Sequence, residues 1–314
     1  MPLSTNLRGA LFMSLAMAAF LLNDTITKVL SADMNMGQIM ILRGIVASAL
    51  IFALAHYRGA LRPVRLLFQP AVLLRIIGEA GAAITFLIAL AEIPIANVTS
   101  IFQALPLAVT MGAALFLAEP VGWRRWSAIA VGFAGVMVIV RPGLEGFSVY
   151  SLLVLASVLF AALRDLATRM VSDDVPSLFL SALTTPLVGL SGLLIVWPLG
   201  GWSPVAPSHV AFLCTAAVLL LIGYQFIIMA MRGGADISYV APFRYTSLVW
   251  SIAVGYLVFG DIPDVFMIAG AIIIVASGLY TLYRERARPQ AEPIAAETLA
   301  AETLVADQPD RRSA

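Results

Sequence analysis

Leu22-Asn23-Asp24-Thr25-Ile26-Thr27-Lys28 returns 141 residues later as Leu163-Arg164-Asp165-Leu166-Ala167-Thr168-Arg169. Leucine, aspartate, threonine and a base keep their places, and Ser31 and Ser172 follow in step. A second landmark keeps almost the same spacing: Phe116-Leu117-Ala118-Glu119 is echoed by Val258-Phe259-Gly260-Asp261, 142 residues on. Two distant matches whose offsets agree within one residue indicate an internal duplication. In both copies of the first motif a carboxylate sits inside an apolar stretch, and the surroundings of those stretches decide what the duplication means.

Those surroundings are lipid-like. Of the 314 residues 61% are hydrophobic and 12% charged, with a mean hydropathy of +0.96. A soluble domain carries about 25% charged residues, so water cannot be the solvent for most of this chain. A net charge of +1 gives no basic face for nucleic acid. The single cysteine, Cys214, has no partner for an internal disulfide or a thiolate metal site.

A bilayer core of about 30 Å takes roughly 20 apolar residues per helix. Ten such segments are predicted: 10–30, 37–57, 71–91, 95–117, 124–141, 149–170, 177–198, 209–231, 237–259 and 264–283. The short connectors hold breakers and charges, among them Arg141-Pro142-Gly143 and Arg232-Gly233-Gly234. Spans four and five are kept apart by Glu119-Pro120 with Arg124 and Arg125. The first span is too long for a signal-peptide core and is expected to remain in the mature protein.

One set of span ends carries eleven basic residues: Arg8, Arg58, Arg62, Arg65, Arg124, Arg125, Arg169, Arg232, Arg284, Arg286 and Arg288. The opposite set carries Arg141 and Lys28. Basic residues near span ends stay cytoplasmic, so both termini are expected on that side of the inner membrane. The segment after the last span, with Ala295-Ala296-Glu297-Thr298-Leu299 repeated at once, cannot bury a core and is expected to be a disordered tail.

Placed on ten spans, the duplication gives each half five. Five is odd, so the second half must enter the bilayer from the opposite side. The expected organisation is a cytoplasmic N-terminus 1–9, repeats 10–143 and 144–285, and a tail 286–314. The fold class is an all-α integral membrane protein, ten transmembrane helices forming two inverted five-helix repeats around a central cavity. Inverted repeats occur in secondary carriers with a midplane site between the halves, because two near-equivalent packings supply two open states of similar energy. The plainer alternative is a duplication that only built a larger bundle.

Ionisable groups inside the spans sharpen the choice. Each costs about 2.5–3.5 kcal/mol at mid-bilayer against about 0.5 returned by one leucine, so each needs a partner or water. The candidates are Asp24, Lys28, Arg43, Arg75, Glu79, Arg164, Asp165 and Arg244, five bases against three acids. Counting helical rise, Asp24 and Arg43 lie about 9 Å below the outer edge and are expected to pair. Asp165 and Arg244 lie at similar depth from the inner edge. Lys28 and Arg75 are expected to snorkel outward, an option open to Arg164 as well. Glu79 is deepest, about 12 Å in. It either forms an ion pair with Arg75 one turn away, or carries a proton or meets a cationic substrate group.

Asn23, Asn97 and Gln103, with Tyr224 and Gln225 in span eight and Tyr245 and Trp250 around span nine, are candidate lining groups. Pro106 and Pro186 fall near the middles of spans four and seven, as hinges or sites of an exposed carbonyl. Neither proline has a counterpart in the other half. Ala128, Gly132, Gly135 and Gly255 read as close helix packing.

These residues resemble the EamA family of the drug/metabolite transporter superfamily. In the first half the resemblance is carried by Ile41-Leu42-Arg43, by Ala104-Leu105-Pro106 running to Leu117-Ala118-Glu119, and by Trp126-Ser127-Ala128 through Gly132-Phe133-Ala134-Gly135. In the second it is carried by Ala241-Pro242-Phe243-Arg244-Tyr245, Gly260-Asp261, and Gly270 to Gly278-Leu279-Tyr280. It covers residues 8 to about 285 and implies ten helices, a central cavity and secondary transport. The family's Gly-Glu at the ends of spans four and nine is here Ala118-Glu119 and Gly260-Asp261, which marks Glu119 and Asp261 as structural or gating candidates. Span seven has no arginine matching Arg43.

The expected function is therefore a permease moving a small polar or amphipathic metabolite, anionic or zwitterionic, by alternating access, as a monomer or homodimer. A coupling proton or ion is an option. Export of drugs or metabolites on the same fold is the nearest alternative; a channel or an intramembrane enzyme is the more distant one. For the last, His56 and His209 lack metal-ligand spacing, and neither a phosphate-cradling lysine loop nor Gly-x-Ser-x-Gly occurs. No metal or cofactor is expected.

Overall fold

The computed structural model describes residues 4–171, 175–232 and 236–286, and all regular elements among them are helical. Ser172, Gly233, Gly234, Arg288 and the segment 287–314, together with the side chains of Arg232 and Arg286, lie outside the described residues.

Local chemistry sets the helix starts. Ser4 accepts a hydrogen bond from the Leu7 amide at 3.3 Å and opens α1 (Thr5–Leu30) several residues before the apolar pattern begins. Asn35 does the same for α2 (Met36–Tyr57) through the Gln38 amide at 2.9 Å. α3 (Pro70–Glu92) begins on a proline, whose missing N–H is no loss in a first turn. Then come α4 (Ile95–Phe102), α5 (Leu105–Phe116), α6 (Trp123–Val140) and α7 (Val149–Arg169). The remainder comprises α8 (Ser177–Ser191), α9 (Leu193–Val196), α10 (Pro207–Arg232), α11 (Ile237–Val240), α12 (Thr246–Val254) and α13 (Val265–Arg286).

Among the described residues nine helical stretches are long and apolar enough to cross a bilayer, with α4 and α5 together counting as one and α8 with α9 as another. The molecule is an all-α, multi-pass membrane protein. The remaining expected span, 237–259, is not a continuous helix but is built in pieces: α11, a 3-10 turn at Ala241–Tyr245, α12, and a wider π turn at Gly255–Phe259.

This corrects the expectation of an unmatched break in span four. α4 stops at Phe102 and α5 starts at Leu105, with Pro106 in its first turn. The 3-10 turn at Ala241–Tyr245 contains Pro242 and lies about as far along span nine. The break counterpart to that near Pro106 is thus made by a proline a few residues out of register. Pro186, by contrast, sits inside the continuous α8.

The two broken spans also end alike. Ala118 has φ 53° and Gly260 has φ 70°, and the next amide reaches back six residues in each, Glu119 to the Ala113 carbonyl at 3.2 Å and Asp261 to the Gly255 carbonyl at 2.9 Å. A left-handed residue at a helix end favours glycine, and alanine there is strained by about 1 kcal/mol. Ala118→Gly is expected to stabilise the chain by about that amount, read as a rise in denaturation midpoint, because it supplies what Gly260 already supplies.

The most extensive packing joins α3 to α7, α1 to α10, α6 to α13 and α2 to α8. Glycines make the seams tight. A Cβ on Gly44 of α2 would stand 2.6 Å from the Gly189 Cα on α8, and one on Gly270 of α13 2.6 Å from the Gly135 carbonyl oxygen on α6. Ala128 joins that second seam, its carbonyl accepting from Ser277 Oγ at 2.5 Å. Gly255 does not belong with these. A Cβ there would meet nothing nearer than 3.6 Å, and the residue instead opens the π turn that precedes the left-handed Gly260.

Candidate functional site

Helices α1, α2, α3, α7 and α10 and the two broken spans enclose a cavity of about 430 Å³. That volume suits a drug-sized organic molecule. Asp24, Arg43, Glu79, Gln103, Asp165, Tyr224 and Arg244 all line it, together with Pro106. Gln225 and Tyr245 do not. Tyr245 is buried, with its hydroxyl against Gly278 and no hydrogen-bond partner among the described residues. Glu119 pairs with Arg169 at 3.1 Å where both are about half exposed, a contact worth under about 1 kcal/mol. Asp261 has no ion pair among the described residues and lies, like Pro186, away from the cavity.

The repeated motif makes the same bonds twice. Thr27 Oγ1 donates to the Asn23 carbonyl at 2.8 Å, and Thr168 Oγ1 donates to the Arg164 carbonyl at 2.6 Å. Each threonine oxygen also accepts from a guanidinium, Arg43 for Thr27 at 3.2 Å and Arg75 for Thr168. In each motif the residue before the aspartate donates to it, Asn23 to Asp24 at 2.9 Å and Arg164 to Asp165 at 2.8 Å.

Pairing differs from the expectation drawn from depth. Asp24 and Arg43 make no direct ion pair; the Asn23 amide stands between them, accepting from Arg43 Nη1 at 3.2 Å and donating to Asp24. Asp165 pairs with its neighbour Arg164 rather than with Arg244. Glu79 is held from two sides, by Arg164 at 3.4 Å and by Arg75 at 3.8 Å, so the nearer partner belongs to the distant α7 and not to its own helix. Arg75 points inward to Thr168 and Glu79 instead of snorkelling. Helical rise measures depth only, and rotation about each helix axis decides which groups at one depth meet.

Lys28 does leave the cavity. Its ammonium donates to the Leu90 and Ile93 carbonyls, 2.7 Å each, at the end of α3, and lies over the Phe259 ring. Those carbonyls close no helical bond of their own.

One of the candidate lining side chains clasps the broken spans together. Gln103, in the gap between α4 and α5, donates its amide to the Arg244 carbonyl at 3.3 Å and to Ser247 Oγ. A 3-10 turn leaves carbonyls without helical partners, and Gln103 supplies one.

Aromatic rings, which sequence analysis did not single out apart from Tyr224, form the apolar walls. Phe20 meets Tyr224 edge-on at 5.3 Å, and Phe86 meets Phe102 edge-on at 5.2 Å. Phe20 stands four residues before Asp24 on α1 and so shares its face; that spacing was the available signal. A smaller chamber of about 130 Å³ shares Arg43, Arg75, Glu79 and Tyr224 with the main one and adds the hydroxyls of Ser181, Thr184 and Thr185.

Comparison with known proteins agrees with this architecture. Residues 7–141 match the sequence model of the EamA-like transporter family. A riboflavin transporter of Rhizobium johnstonii is 28% identical over 89% of this chain and 92% of its own length. An S-adenosylmethionine uptake transporter of Rickettsia prowazekii is 27% identical over 90% of this chain and 95% of its own. A pseudopaline exporter of Pseudomonas aeruginosa is 27% identical over 86% and 94% respectively. A crystal structure superposes with a TM-score of 0.58 at 18% identity, over 88% of this chain and 98% of that one, which speaks to the fold alone.

Proposed function

With the chain a member of the EamA-like transporter family, a family of transporters and not enzymes, we propose that it is a secondary carrier working by alternating access between two inverted five-helix units. Its solute is a small amphipathic metabolite, anionic or zwitterionic. The observation that carries this reading is the central cavity, roofed by aromatic pairs, lined with seven charged side chains and bounded by two broken spans. Cavities at broken helices are where secondary carriers hold their solutes.

The packing pattern supports the inverted repeat. Numbering the crossings one to ten, the pairing of three with six and of one with eight exchange under a shift of five, while two with seven and five with ten map onto themselves. The pattern is in keeping with repeat units of 10–143 and 144–285. An odd number of crossings per unit reverses the second, and the distribution of basic residues supports cytoplasmic termini in the inner membrane. The solutes for which the relatives are named, riboflavin, S-adenosylmethionine and pseudopaline, support an organic solute, with both import and export in reach of the fold.

Flux in proteoliposomes tests the proposal. A panel including riboflavin and S-adenosylmethionine is expected to contain a solute whose uptake saturates and is accelerated by preloading the same solute inside. Flux that rises linearly with concentration and ignores preloading would instead make the chain a channel. With Cys214 changed to serine, single cysteines at positions 60 and 202 are expected to label from opposite faces of the membrane. Labelling from one face would end the inverted arrangement.

A further inference from the structure

The two landmarks of the duplication meet each other in space, once toward each end of the cavity. Asp24 and Lys28 stand one turn apart on α1, about 6 Å of rise, and Asp165 and Arg169 stand the same way on α7. Both aspartates line the cavity. Each base therefore lies on the same helix face one turn beyond it, Lys28 toward the outer surface and Arg169 toward the inner one in the orientation proposed above. The second landmark supplies what each base faces. Arg169 pairs with Glu119 at the end of span four, at 3.1 Å. Lys28 lies 5.5 Å from the centre of the Phe259 ring at the end of span nine, and its ammonium is attracted by Asp261, the counterpart of Glu119, and then by Glu92. A base from one half thus meets the end of a broken span from the other half at both mouths.

The two seats differ in strength. Lys28 is half-buried and donates to the Leu90 and Ile93 carbonyls at 2.7 Å each, so it ties α1 to the end of α3 as well as to span nine. A cation at the unpaired carbonyls of a helix end is favourable, and hydrogen bonds from a charged donor are stronger than neutral ones. Arg169 and Glu119 are both about half exposed, where an ion pair holds weakly. The outer tie is therefore firm and the inner one loose. A carrier closed to the outside and ready to open inward requires that arrangement.

We infer that Lys28 and Arg169 are the two gate residues of the carrier, equivalent under the duplication: Lys28 latches the ends of spans three and nine at the outer mouth, Arg169 latches the end of span four at the inner mouth, and each open state breaks one latch and keeps the other. The inference deepens the carrier reading and rests on it. It also gives Glu119 and Asp261 a common role, as the acids that draw the two bases to their seats. Two packings of similar energy need closures that can be exchanged, and a duplicated base facing a duplicated acid supplies one at each end. Removing either latch shifts the population toward the state in which that mouth is open, by the free energy the latch contributed.

A single cysteine on the cavity wall reads the balance. In a Cys214→Ser chain, Ala83→Cys places a thiol at a position that lines the cavity. A membrane-impermeant maleimide is applied to spheroplasts for the outer face and to inverted vesicles for the inner. Lys28→Met removes two charged hydrogen bonds and is expected to speed outer labelling at least about tenfold while slowing inner labelling. Arg169→Met removes one exposed pair and is expected to do the reverse, by no more than about fivefold. Lys28→Arg keeps a cation at the seat and should stay near the parent's rates. Exchanging the inner pair, Arg169→Glu with Glu119→Arg, should restore the balance that Arg169→Glu alone disturbs. Opposite signs separate a gate from a fold, since a loosened bundle exposes the thiol to both faces together. No shift in Lys28→Met, shifts of the same sign in the two Met variants, or an exchanged pair that fails to restore the balance overturns the inference. Uptake separates it from the carrier reading. Saturable, preload-accelerated flux beside labelling that ignores both bases keeps the carrier and removes the gates; the expected shifts in a chain whose flux is linear do the reverse.

Discussion

Gly78→Ala is expected to destabilise the protein by about 3 kcal/mol, at the upper end for an overpacked interior, and to abolish transport. The reason is that the intruding methyl has nowhere to go. A Cβ on Gly78 would lie 2.7 Å from the Arg164 amide nitrogen, 2.8 Å from the Phe160 carbonyl oxygen and 2.9 Å from the Arg164 Cα. All three are backbone atoms of α7, so no rotamer change relieves the clash and the helix itself must retreat. Retreat breaks the contact between Glu79 and Arg164, one residue from the intrusion. Chemical denaturation in mixed micelles and uptake in proteoliposomes read the two effects. Gly122→Ala, at a site where an added Cβ meets no atom within 4 Å, is the control and should change neither.

Glu79→Gln is expected to cost a further class of energy, about 3–5 kcal/mol, the range for removing one member of a buried ion pair. Glu79, Arg75 and Arg164 expose only 19%, 15% and 21% of their side chains. Taking away the acid leaves two guanidinium groups facing one another in a cavity wall, with a single aspartate to share. Charge balance, more than the lost contact, sets the size. Pairing the substitution with Arg75→Gln restores neutrality and keeps the bond from Arg164 to Asp165, so the double variant should recover more than half of the loss. Denaturation midpoints of the single and double variants decide the point. A Glu79→Gln protein as stable as the parent would show that Glu79 is not a brace and return it to the candidates for proton coupling.

Much of this was legible from residue types alone, and for a definite reason. Insertion into lipid imposes a one-dimensional rule, about 20 apolar residues per crossing, and Asp24, Arg43, Glu79, Asp165 and Arg244 stood out because each violates it. All five line the cavity. What escaped was azimuth. Depth placed Asp24 beside Arg43 and Asp165 beside Arg244, yet Asn23 intervenes in one case and Arg164 in the other. The break in span nine escaped for a different reason: Ala241 to Tyr245 is apolar enough to pass as helix, and unwinding is set by Pro242 and by the Gln103 amide that the Arg244 carbonyl accepts from, a contact spanning 141 residues. The seams through Gly44 and Gly189 were likewise invisible, since a glycine names neither its neighbour nor the distance to it. Pro186 misled because a proline in a helix packed among others need not interrupt it, neighbouring groups taking up the freed backbone.

The interruptions at Gln103 and at Ala241–Tyr245 also bear on how the molecule can move. A continuous helix behaves as a stiff rod, so tilting one tip swings the other. Cut the rod near its middle and each stub answers only to what it touches locally. Gln103 fastens the two cuts to each other, so they form a common pivot from which four short levers extend, two toward each surface of the bilayer. Motion at one mouth then need not be paid out at the opposite one.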